Sequence, residues 1–241
     1  MLEGITARPS GAEYTCPVYE KAWLLYFDIL GFRNMVTHST KNDFGFSYLK
    51  SLYDQVIEEL KSSQTTIKDI PVEYHWFSDS FMVWNYSDDI SSFPWLEFFG
   101  RTFLQKCIWH KIPVRGALAF GDFYMEPDGR TFFGPVLVEA HDWAESQNWF
   151  NFLLCPSVLE KTKDEFECDE RLNYSKKHIP LNPCAPKGEV AAFTYHHHAN
   201  FEHNALQSLR SMMSLAPKKA KKKYQNTINQ INRHYVKLEI P

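Results

Sequence analysis

The run Ala22-Trp23-Leu24-Leu25-Tyr26-Phe27-Asp28-Ile29 is apolar without interruption until a single carboxylate near its end. A half-exposed strand alternates apolar and polar residues, so an unbroken run of this length predicts a strand buried on both faces. A charged carboxylate in such a place costs several kcal/mol unless it is paired or bound to a metal. Asp28 is therefore the first candidate functional residue.

The rest of the chain is read around that strand. Phe44, Tyr48, Leu49, Leu52, Val56, Ile57 and Leu60 recur at spacings of three and four, which predicts a helix over 44–62. Pro71–Phe77 and Phe81–Tyr86 are β-favouring runs joined by Ser78-Asp79-Ser80, a hairpin with a carboxylate at its tip. A helix is expected over Phe93–Trp109, a strand over Val114–Asp122, a turn over Glu126–Arg130, a helix from Pro135 to about Gln147 and a strand over Phe150–Leu154. Residues 165–188 read as a long loop, Glu189–Tyr195 as a last strand, and the remainder as helices before and after Pro217 with a lysine run between them. The order β-α-β-β-α-β predicts an α/β (α+β) fold with a ferredoxin-like βαββαβ core and an appended C-terminal strand and helices. The expected organisation is an arm over 1–21, a main domain over 22–195 and a Lys-rich helical extension over 196–241.

With 26 Lys and Arg against 29 Asp and Glu, the formal charge is −3. No global positive field recruits nucleic acid or an anionic membrane, so an anionic ligand must be held by local groups. No apolar run approaches the roughly 20 residues that cross a bilayer, and residues 1–20 lack an apolar signal region. A cytoplasmic protein is expected. Its five cysteines, odd in number and without a C-x-x-C pair, read as reduced thiols.

In the split βαβ order the hairpin tip lies across from the end of the first strand, so Asp79 faces Asp28. Two carboxylates at one sheet end can hold hard cations such as Mg²⁺, and such a pair suits nucleoside triphosphate chemistry. The plain alternative is that Asp28 caps a helix start and Asp79 fills a turn. Asp122 is a candidate third acidic group, with a turn-capping role as its alternative.

These residues resemble a family. Asp28-Ile29-Leu30-Gly31-Phe32 resembles the D-I-x-G-F signature of class III nucleotide cyclases, and Phe77-Ser78-Asp79-Ser80 stands where that family has a Gly-Asp pair. Val114–Gly121 is similar to its R-x-G-x-x-x-G strand, and Gly134 precedes a helix as the corresponding glycine does. The resemblance covers roughly residues 22–155. It implies that the Asp28 carboxylate, the Ile29 carbonyl and Asp79 bind two Mg²⁺ or Mn²⁺ ions, and that two copies of the chain form a homodimer with active sites at the interface. It also implies that Phe32, His75, Thr131 and Lys187 line the substrate site. His75 and Thr131 stand where purine cyclases carry a base-reading Lys and Asp, which points to a pyrimidine base. On that ground the chain resembles the bacterial pyrimidine cyclases of Pycsar anti-phage systems, with UTP converted to cyclic UMP favoured, cyclic CMP second, and a separate effector expected to read the product.

Val138 and Asp142 occupy the positions of the family's transition-state Asn and Arg. Arg115 and Arg130 are therefore the candidate catalytic cations, with Lys187 a third. Two rival readings remain open: a catalytically dead cyclase fold acting as a nucleotide sensor or dimerisation module, and a palm-type polymerase or cyclic-oligonucleotide synthase built on the same two-carboxylate core. His196-His197-His198 does not read as a zinc site, because three consecutive rings cannot converge on one ion. The lysines at 218, 219, 221, 222 and 223 read as a solvated face, with binding of phosphate backbones as the alternative.

Overall fold

The computed structural model describes residues 18–32, 72–126, 131–163, 174–194 and 199–235, with isolated helical positions between 37 and 58. The helix expected over 44–62 thus lies largely outside the described residues, as do Arg130 and the three histidines. The strands are β1 (Glu20–Ile29), β2 (Glu73–Phe77), β3 (Ser80–Tyr86), β4 (Val114–Met125), β5 (Phe132–Phe133), β6 (Phe152–Leu154), β7 (Tyr174–Ser175) and β8 (Ala191–Phe193). The helices are α1 (Phe93–Trp109), α2 (Pro135–Ser146), α3 (Pro156–Thr162), α4 (Ala199–Leu215) and α5 (Lys218–Tyr235).

The sheet runs β2-β3-β1-β4-β6-β8-β7, with β5 hydrogen-bonded to β4. β1 pairs antiparallel with both β3 and β4, and β2 pairs antiparallel with β3. That is the ferredoxin-like order expected of the split βαβ reading, extended by β6, β8 and β7. The expected α+β core is therefore present. β1 is central, and its side chains divide by parity between two cores. Trp23, Leu25, Phe27 and Ile29 join α1, α4 and α5 on one face, whereas Ala22, Leu24 and Tyr26 join α2 on the other. This two-sided burial is why the run shows no alternation.

Several details depart from the expectations. The stretch read as a long loop contributes the short strand β7, and α3 was not foreseen. The lysine run does not separate the two C-terminal helices but forms the first turns of α5. Asp122 pairs with Lys21 at 2.8 Å, at the end of β1 opposite to Asp28, so it is no part of the acidic site.

Gly116 lets β4 lie close against β1. A Cβ there would meet the Phe27 ring and stand 2.8 Å from the Tyr26 carbonyl, which is backbone and cannot swing away. Gly116→Ala is expected to lower stability by about 1–3 kcal/mol, measured as a fall in the urea midpoint with unchanged slope.

Candidate active site at the end of β1

Asp28 lies on the α2 face of the sheet, in register with Ser80 of β3 and Arg115 of β4. It is 9% exposed and Arg115 is 6% exposed. The Arg115 Nε donates to Asp28 Oδ2 at 2.9 Å, and Nη2 stands 2.9 Å from the same oxygen. Nη2 also pairs with the Glu145 carboxylate, and Nη1 donates to the Glu145 carbonyl at 2.8 Å. The guanidinium is thus committed to protein groups on all sides. It braces Asp28 to the last turn of α2, and does not extend toward a ligand.

Burial pushes the Asp28 carboxyl above its ordinary range, Arg115 opposes that shift, and Glu145 adds to it. Tyr26, one β1 pleat away on the same face, shares a 2.7 Å hydrogen bond with Ser80, and burial raises its phenol.

Asp79 sits at the β2–β3 tip. The two-residue turn flanked by Phe77 and Ser80 begins with Ser78 at φ 57°, the left-handed conformation that tight hairpins demand of their first central residue. The Trp76 indole donates to the Ser78 carbonyl at 2.7 Å, and the Ile29 amide donates to the Asp79 carbonyl at 2.9 Å. The second bond ties the tip to the end of β1, so Asp79 and Asp28 come to one sheet end as expected.

The donor set fits a hard cation. Asp28, Asp79 and the Ile29 carbonyl offer oxygen only, and among the described residues no group of three or more His, Cys, Asp or Glu is gathered for a metal. Mg²⁺ is commonly held by one or two carboxylates together with water and substrate phosphates, and asks for no larger protein cage.

The other expected site residues are dispersed. Phe32 is half-buried and packs against the α1-side core. The His75 ring lies 5.1 Å from the ring of Phe132, the neighbour of Thr131, whose carbonyl accepts from the Glu126 amide at 2.9 Å. His75 and the Thr131 segment therefore do come together. Lys187 is exposed beside Gly188, which approaches Pro156 and Trp143 beyond the far end of β6 from Arg115. On α2, Val138 is 59% exposed and Asp142 faces His141 at 3.0 Å, so neither supplies a positive group.

Two charged groups that act on Asp28 electrostatically escaped the sequence reading. Glu145 had no signal, being one acid in the last turn of an ordinary amphipathic helix. Lys223 was hidden in a run of similar residues; burial, with Arg115 nearby, holds its ammonium down at about 8, against the opposing pull of Glu145 and Asp28.

No protein-family model matches the sequence, and comparison with curated proteins finds no match. Among solved structures, the chain is similar to the catalytic core of a rhodopsin-guanylyl cyclase with converted specificity in complex with ATPαS, at 13% identity and a TM-score of 0.49, over 72% of this chain and 94% of that one. It is also similar to the monomeric guanylyl cyclase domain of the RhoGC fusion protein from the aquatic fungus Blastocladiella emersonii, at 12% identity and a TM-score of 0.48, over 73% and 95%. Likeness at this level carries no chemistry, which has to come from the site itself.

Proposed function

We propose that this chain is a nucleotide cyclase that converts UTP to 3′,5′-cyclic UMP and pyrophosphate. The observation that carries the reading is the meeting of Asp28 and Asp79 at one end of a ferredoxin-like sheet, fixed by the bond from the Ile29 amide to the Asp79 carbonyl. Asp28, the Ile29 carbonyl and Asp79 would hold two Mg²⁺ or Mn²⁺ ions. When bound, these supply charge neutralisation on the phosphates and a lowered pKa for the attacking hydroxyl. The 3′-oxygen bonds to the α-phosphorus, the link from that phosphorus to the β-phosphate breaks, pyrophosphate departs and the hydroxyl proton passes to water. Arg115 keeps the Asp28 carboxylate oriented through the reaction.

The pyrimidine preference is supported by His75 and Phe132, which set two rings together where a purine-reading Lys and Asp are missing. A second copy of the chain is the expected partner. Phe77 beside the Asp79 tip is 71% exposed, and Tyr74, Phe133 and Val138 add exposed apolar surface, a pattern that suits a homodimer interface. The cyclic product would act as a second messenger in anti-phage defence, read by a separate effector. Among the described residues, no helix is long and apolar enough to cross a membrane.

The test is to incubate the protein with Mn²⁺ and each of the four ribonucleoside triphosphates, and to resolve products by mass. Cyclic UMP is the expected product. Cyclic CMP alone would move the base assignment to cytidine, and a longer product would overturn the reading in favour of a synthase. Val138 and Asp142 favour one other reading, a sensor that binds nucleotide without turnover; binding with no product from any of the four would support it.

A further inference from the structure

We propose that Lys223, on the C-terminal helix α5, binds the phosphate chain of the nucleotide at the Asp28 site and so supplies the cation missing from α2. The inference rests on the triphosphate reading above. Its grounds are in how α5 is docked. The Asn226 amide donates to the Asn148 carbonyl at 2.8 Å, the Phe150 amide donates to Thr227 Oγ1 at 2.9 Å, and the Tyr224 ring packs on Phe150 with centroids 4.5 Å apart. These contacts hold the 223–227 turn against residues 148–150, the continuation of the α2 end that grips Arg115 through Glu145.

Lys218, Lys219, Lys221 and Lys222 are exposed, whereas Lys223 is half-buried and lies within the electrostatic reach of Asp28, Glu145 and Arg115. Neutralising the two carboxylates does not require it, since Arg115 already contacts both. Among the described residues no ion pair holds its ammonium. Lys223 is the sixth residue of α5, beyond the first turn, where the helix dipole no longer favours or penalises a charge. Helix stability therefore does not explain the placement. An anion arriving at the Asp28 end does.

The test uses inorganic tripolyphosphate, which has neither base nor ribose, titrated calorimetrically into the full chain with Mn²⁺ present. Lys223→Gln is expected to weaken binding about tenfold, Lys223→Arg to restore it to within about threefold, and the exposed control Lys219→Gln to leave it unchanged. Thermal midpoints recorded alongside separate affinity from folding. The proposal is overturned if the wild type does not bind tripolyphosphate, if Lys223→Gln binds it as the wild type does, or if Lys219→Gln loses as much. Failure of the cyclase reading looks different: Lys223-dependent tripolyphosphate binding would persist while no nucleotide yields a cyclic product.

Discussion

Asp28→Ala is expected to reduce cyclic nucleotide formation by about 1,000-fold or more, because it removes one of the two carboxylates proposed to hold the charge-neutralising ions. The fold should survive. Arg115 would keep the Glu145 carboxylate and carbonyl as partners, so the loss of stability is put at about 1–3 kcal/mol. Asp79→Ala separates the two effects further. Asp79 is half-exposed at the hairpin tip and its tie to β1 is made by its backbone, so that variant should lose product with little change in the urea midpoint. Mass-resolved product assays paired with urea unfolding check both. Activity retained in either variant would remove the carboxylates from the chemistry.

The largest effect on stability belongs to Arg115. Arg115→Met leaves Asp28 and Glu145 facing each other without the cation that contacts both, in a site where Asp28 is 9% exposed. Breaking a buried pair from one side costs about 3–5 kcal/mol. Arg115→Lys should recover little of this, since one ammonium cannot replace Nε, Nη1 and Nη2 at their separate acceptors. The pH dependence has a definite sign. With its folded-state pKa raised, Asp28 contributes stability that is full below the ordinary carboxylate value and is lost as pH rises through the raised one. Removing Arg115 raises it further, so the deficit of Arg115→Met should be smaller near pH 4 than at pH 7. Urea unfolding at the two pH values decides it, and a deficit below about 1 kcal/mol at pH 7 would mean that the pair does not brace the fold.

What could be read from the sequence follows from how locally each feature is encoded. β1, the β2–β3 hairpin and α1 each carry their own signal, respectively an unbroken apolar run, two β-favouring runs about a polar turn, and a stripe opened by Pro94 near its start. The meeting of Asp28 and Asp79 followed from topology, because the split βαβ order leaves few places for the hairpin tip. Arg115 was legible as a residue at the site but not in its role. Whether a buried guanidinium points to a ligand or to neighbouring acids depends on Glu145, which comes from an element 30 residues away. Lys223 was illegible for a similar reason, since only the docking of Thr227 and Tyr224 on Phe150 sets it apart from its neighbours in the run. The short strands β5 and β7, two residues each, are held by pairing with β4 and β8 and have no periodicity to read.

The central claim is that this sheet end cyclises a nucleoside triphosphate with release of pyrophosphate. The most direct measurement follows pyrophosphate and nucleotide product together, for the wild type and Asp28→Ala, with UTP and Mn²⁺. One pyrophosphate per cyclic UMP, both absent in the variant, is the predicted result. Pyrophosphate released without a cyclic mononucleotide, or a cyclic product that persists in Asp28→Ala, would contradict it.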